Sequence, residues 1–121
     1  MRDERTLSKK SINQIYKNGA FFGSQSFKLI WAKSNIKYPK IGLLISVPKK
    51  KIKKSVDRNY VKRIIRESYK INAAFICNLI LNPVDIILIY NKTTLPEFNE
   101  LKIELLTLFE LMHKQQNEIN Q

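Results

Sequence analysis

An α+β domain is predicted by three observations: an alternating run at residues 26–33, apolar runs at 41–47 and 85–90, and helical periodicity before, between and after them. At 121 residues the chain is of single-domain length, and no repeat, low-complexity stretch or linker divides it. Residues 1–121 therefore read as one domain, in the order helix, two or three strands, helix, strand, helix.

Residues 8–18 form the first helix, with Ser8 or Ser11 as cap, Ile12, Ile15 and Tyr16 on one face, and Gly19 as the stop. Residues 26–33 then alternate, with Phe27, Leu29 and Trp31 on one face and Lys28, Ile30 and Ala32 on the other, which is a strand. A turn at 35–40 contains Pro39, and the strand at 41–47 follows, apolar on both faces and hence central in a sheet covered on each side. Pro48 ends it. Residues 49–54 are too charged for a core and make a loop feeding the second helix, capped by Ser55 or Asp57. That helix runs from about Val56 to at least Lys70, and as far as Cys77 or Asn78, with Val61, Ile64, Ile65 and Ser68 as its buried stripe. Asn82-Pro83 breaks the chain, residues 85–90 make a buried strand, and residues 91–96 turn. Pro96-Glu97 opens the last helix, with Leu101, Leu105, Leu108 and Leu111 or Met112 facing inward.

The charge is the informative part of the composition. Twenty-two Lys and Arg face ten Asp and Glu, a formal +12, which calls for a polyanionic partner: nucleic acid or an anionic membrane surface. Residues 1–48 hold nine basic and two acidic side chains, 49–70 hold ten and two, and 71–121 hold three and six. The field is thus concentrated in the middle, and the last part reads as scaffold. A lone cysteine, Cys77, excludes an internal disulfide framework and suits a reducing, cytoplasmic setting as a small buried hydrophobe. No apolar run reaches membrane-spanning length, and Met1-Arg2-Asp3-Glu4-Arg5 has no apolar stretch behind it, so neither a transmembrane helix nor an export signal is expected.

Bond-breaking machinery is missing from the pattern. The single histidine, His113, lies in the polar C-terminal stretch, no paired Cys/His spacing offers a metal site, and no glycine-rich phosphate loop exists. Asp57 and Glu67 are separated by about 15 Å along their helix, too far for a two-metal carboxylate pair. Neither catalytic nor metal-binding residues are predicted.

The basic helix carries the reading. Arg58, Lys62 and Arg66 recur at i, i+4 and i+8, and Asn59, Arg63, Arg66 and Lys70 form a second row, both opposite Val61, Ile64 and Ile65. With Lys49, Lys50, Lys53 and Lys54 in the preceding loop, they form one positive surface with too few acids to neutralise it. Arginine forks bind phosphate bidentately, and Asn59 can bond a base edge or sugar. About five phosphates engaged on a single strand would give a salt slope of about −3.5, hence roughly a hundredfold loss of affinity between about 50 and 200 mM salt. Tyr16, Phe21, Phe22, Phe27 and Trp31 either fill the core or stack unpaired bases, and Tyr16 is the best placed for contact.

The run Ile41-Gly42-Leu43, Pro48-Lys49-Lys50 and Arg58-Asn59-Tyr60-Val61-Lys62-Arg63-Ile64-Ile65-Arg66-Glu67 resembles the signature of the bacterial ribonuclease P protein subunit. The resemblance covers most of the chain. It implies a mixed four-stranded sheet in α-β-β-β-α-β-α order with a left-handed βαβ crossover, like domain 2 of ribosomal protein S5; the general handedness rule alone would favour the opposite hand. It also implies a non-catalytic subunit of an endoribonuclease that removes the 5′ leader from precursor tRNA. The catalytic RNA and its Mg²⁺ do the chemistry, and the partners are one ribonuclease P RNA and precursor tRNA, not DNA or membrane. By the same resemblance Arg58, Asn59, Lys62, Arg63 and Arg66 face the RNA with Lys49 and Lys50 at the edge. A leader cleft would then take Ile12, Tyr16, Lys28 and Ile30. The chain departs from the family in having Tyr60 where arginine is usual, Ile12 and Ile30 where some members carry aromatics, and a longer stretch between Lys70 and Asp85.

Two other classes are compatible with the charge but not with the rest of the pattern. A structural RNA-binding protein does not account for the strand, lysine loop and R-N-x-x-K-R-x-x-R spacing. A DNA regulator using the same helix requires a short helix and turn before it, where this sequence has a strand and a loop.

Overall fold

The computed structural model describes residues 4–120. Its elements are β1 (Glu4–Arg5), α1 (Lys9–Asn18), β2 (Ala20–Gly23), β3 (Phe27–Lys33), β4 (Ile41–Ser46), α2 (Ser55–Leu79), β5 (Val84–Tyr90) and α3 (Phe98–Asn120). Met1 to Asp3, part of the segment read against an export signal, lie outside the described residues.

The strands make one mixed sheet in the order β1-β4-β5-β3-β2, five strands rather than four. Pairing is parallel from β1 through β4 to β5, and antiparallel from β5 to β3 and from β3 to β2. Behind β1 the order is the expected α-β-β-β-α-β-α. The unexpected strand is β1, which is two residues long; β2 is expected in the order but not located in the sequence, because its residues alternate only between half-buried and exposed. The strand at the centre is β5, not β4: β4 is flanked outside only by β1, against Ile41 and Gly42. This is why Leu43 and Leu44 are half-buried while Val84 and Asp85 through Leu88 are buried.

The faces of β3 divide as its alternation predicts. Phe27, Leu29 and Trp31 enter the larger core under α2 and α3, with Ile86, Leu88 and Tyr90 from β5. Ile30 turns the other way, onto a smaller cluster under α1 with Leu7, Ile15 and Ile87. Trp31 is sealed in the main core, its indole N–H donating to Gln115 Oε1 at 2.5 Å.

Helix termini follow local chemistry. The Ser8 hydroxyl accepts from Ser11 N at 3.2 Å, and Gly19 N donates to Ile15 O at 2.8 Å to close α1. A side chain at Gly19 would collide with the Trp31 carbonyl, so α1 reaches the sheet only through glycine. The N-cap of α2 is Lys54 and not Ser55 or Asp57; its carbonyl accepts from Arg58 N at 3.0 Å, and no side chain caps it. At the far end Lys40 Nζ donates to Cys77 O and Ile80 O, both at 2.9 Å, so a cation satisfies the last carbonyls of α2. The long stretch after Lys70 is mostly this helix continuing to Leu79, with Ala73 and Ile76 buried and Cys77 half-buried against the core. On α3, the Glu97 carboxylate accepts from Asn99 N and Glu100 N, and Met112 rather than Leu111 points inward.

Candidate nucleic-acid interface

Burying one stripe is what allows α2 to carry so many like charges. Val61, Ile64, Ile65, Tyr69 and Ile76 are buried against the sheet and α3. Each such side chain contributes about 1.5–3 kcal/mol, whereas a repelling i, i+4 pair costs a few tenths of a kcal/mol. Packing wins, and the cations are left on the outside.

The cations do share a side. At roughly 100° per residue, Arg58, Lys62, Arg66, Asn59, Lys70 and Arg63 fall in that angular order within about 140° of arc. This arc flanks the buried stripe rather than lying wholly opposite it. Arg58 and Lys62, next to the stripe, are half-buried, while Asn59, Arg63, Arg66 and Lys70 are exposed. Among the described residues no carboxylate pairs with any of them; the ion pair of the fold is Arg5 with Asp85. Tyr60, the departure from the family signature, stands beside this arc with its ring 5.5 Å from the Arg63 guanidinium, a cation–π contact.

The lysine loop is held at several points. Pro48 O accepts from Lys51 N at 3.0 Å and Ile52 N at 3.1 Å, and the Ile52 side chain is buried in the main core. Lys49, Lys50, Lys53 and Lys54 are exposed around this anchor. A hollow of about 390 Å³ lies among Lys50, Lys51, Lys53, Lys54, Asp57 and Leu95. What precedes α2 is thus a strand and an anchored loop, not the helix and turn of a DNA-reading motif.

The four residues named for a leader cleft lie on the α1 face of the sheet. Ile12 packs beside the cluster containing Ile30, Tyr16 is 56% exposed on α1, and Lys28 is exposed on β3. Ile30 is buried, so it forms floor and offers no stacking surface. Phe21, which the sequence leaves between core and stacking and outside the cleft set, also stands on this face: it pairs across from Ile30, is 62% exposed, and has Lys28 Nζ 5.0 Å from its ring centroid. Reading residues 20–33 as a hairpin would have placed it, because its side chain must share the face of Ile30. Ile89 and Leu44, half-buried, complete the floor.

The two surfaces meet at one end of the sheet. The register aligns Ser46, Ile89, Lys28 and Gly23 in one row across four strands. The lysine loop departs from that same end, just beyond Ser46. Among the described residues no group of three or more His, Cys, Asp or Glu side chains gathers as a metal site, and no helix is long and apolar enough to cross a membrane.

Comparison with known proteins places the sequence and fold in one family. The chain is 36% identical to the ribonuclease P protein component of Aliivibrio fischeri over 69 residues, 57% of each protein. It is 34% identical to that of Vibrio cholerae over 77 residues, 64% of each. The match thus spans somewhat over half the length of these relatives. Among solved structures, the RNase P protein of Thermotoga maritima aligns with a TM-score of 0.71 at 25% identity, covering 87% of this chain and 94% of that one. The Staphylococcus aureus RNase P protein shares the fold, with a TM-score of 0.73 at 23% identity over 93% and 96% of the two chains. The family model described as Ribonuclease P matches residues 1–113, and the chain belongs to that family.

Proposed function

We propose that this chain is the protein subunit of a ribonuclease P holoenzyme. It binds the catalytic RNA and the single-stranded 5′ leader of precursor tRNA, promoting endonucleolytic removal of the leader to give the mature 5′ end. The RNA partner and its Mg²⁺ supply the hydrolytic chemistry; this chain supplies binding and orientation. One protein meets one RNA, in the cytoplasm. The observation that carries the reading is the α2 arc of Arg58, Lys62, Arg63, Arg66 and Lys70, without carboxylate partners among the described residues and continuous with the lysine loop.

Each surface has its own task. Lys62, Arg63, Arg66 and Lys70 of the arc, together with the loop to which Arg58 is bonded, engage the phosphates of the structured RNA. The α1 face receives the leader: Lys28 meets its backbone, Tyr16 and Phe21 stack on its bases, and Ile12 and Ile30 line the floor. Because both surfaces share one sheet end, a leader leaving the cleavage site can run past the loop onto that face. Single-turnover cleavage of precursor tRNA by the RNA subunit, at low Mg²⁺ with and without this protein, is the test. Acceleration is the expected result, and an unchanged rate would rule the reading out.

A further inference from the structure

Arg58 differs from the other cations of its arc. Both N–H bonds of its Nη1 are engaged, donating to Ile52 O at 3.0 Å and Lys53 O at 2.7 Å. Among the described residues, no other side chain of the arc hydrogen-bonds within the protein through its cationic group. The Arg58 backbone N–H meanwhile closes the first turn of α2 on Lys54 O. The side chain therefore folds back from the start of the helix onto the loop that precedes it.

We infer that Arg58 is a positioning residue: it holds the lysine loop in an RNA-ready conformation by clamping the Ile52 and Lys53 carbonyls. The inference rests on the functional reading above. Two physical effects follow from the clamp. Left bare, two carbonyl oxygens at the root of a phosphate-binding loop would repel the phosphates that its lysines attract; the guanidinium neutralises them. The clamp also joins the Pro48 turn and the Ile52 anchor, so three tethers fix a six-residue loop. A loop ordered before binding loses less conformational freedom when it meets RNA. The exposed Lys53 and Lys54 make the phosphate contacts that Arg58 supports.

The test is a double-mutant cycle on RNA-subunit affinity. Arg58→Ala is expected to weaken binding about tenfold in the wild-type background, and less than about twofold when Lys53→Ala and Lys54→Ala are already present. In that lysine-deficient background it should also leave the salt slope unchanged, whereas Arg63→Ala should still flatten it. Without RNA, Arg58→Ala should speed hydrogen exchange at the Lys51 and Ile52 amides by about fivefold or more, with Arg63→Ala leaving them alone. Equal loss of affinity in both backgrounds, or unaltered loop exchange, would overturn the inference and leave the RNA-binding reading standing. A wild-type protein that did not bind the RNA subunit would remove both.

Discussion

Arg5 Nη1 lies 2.6 Å from Asp85 Oδ1, an ion pair that fastens the two-residue strand β1 to the central strand β5 across the end of β4. The same guanidinium donates through Nε to Pro39 O at 2.8 Å and through Nη2 to Ser34 Oγ at 2.8 Å. One arginine thus gathers β1, the 34–40 turn and β5. Both side chains of the pair are about nine-tenths buried. Removing one partner leaves a charge stranded in a poor solvent. Asp85→Ala is expected to cost about 3–5 kcal/mol in urea unfolding, and the Arg5→Ala, Asp85→Ala double variant less than the sum of the singles. Additive losses would mean that the pair is not coupled.

Gly42 makes that pair possible. A methyl group at this position would sit 2.5 Å from Arg5 Nη1, 2.5 Å from Leu7 Cδ2 and 2.6 Å from Asp85 Oδ1. Gly42→Ala should therefore destabilise by about 1–3 kcal/mol through overpacking. In an Arg5→Ala background the cost should shrink, because one of the clashing groups is gone. A cost that stays constant would locate the clash elsewhere.

What could be read from residues alone divides along physical lines. Helix α2 was legible because Val61, Ile64, Ile65 and Ser68 recur at helical spacing, and β3 because Phe27, Leu29 and Trp31 alternate with Lys28, Ile30 and Ala32. The Arg58-to-Lys70 arc was legible for the same reason: cations take the part of the helix that apolar residues leave. Strand β1 was not, since Glu4–Arg5 has no periodicity and is held by a partner 80 residues away. The cap at Lys54 escaped because its side chain takes no part; a backbone carbonyl starts the helix. The two hydrogen bonds from Arg58 to the loop escaped too, as spacing reports on which side a side chain lies but not what it touches.

Arg63 and Arg66 are exposed and lack carboxylate partners among the described residues, so each is available to phosphate. Alanine at either position should weaken RNA binding across leader sequences and flatten the dependence of log K on log salt by about 0.7–1 unit. Titrations at several salt concentrations read this directly. Slopes that do not change would show that these side chains point away from the RNA.

Tyr90 is buried, its hydroxyl donating to Thr94 O at 2.7 Å, and its pKa lies above the ordinary tyrosine value of 10.0 because of burial first and the nearby Glu104 carboxylate second. The folded state therefore favours the neutral phenol. Below the ordinary value both states are neutral and the stabilisation is complete; as pH rises through and beyond it, the unfolded chain ionises first and stability falls. The stability advantage of wild type over Tyr90→Phe should shrink between about pH 8 and about pH 11. An advantage independent of pH would contradict the raised pKa.

Tyr16 and Phe21 decide whether the α1 face handles the leader. Their rings stand 56% and 62% exposed, so truncating either removes little core packing and should shift stability by less than about 1 kcal/mol. If they stack on leader bases, each alanine variant should weaken holoenzyme binding of precursor tRNA by about 1–2 kcal/mol, roughly fivefold to thirtyfold, and leave mature tRNA unaffected. Phe21→Ala has a further consequence, because Lys28 Nζ loses the ring it sits against at 5.0 Å. Phe21→Leu keeps an apolar contact but no π face, so it should behave like alanine toward leader while preserving stability. Losses that are equal for precursor and mature tRNA would move both rings out of the leader path and leave that face of the sheet without a bound strand.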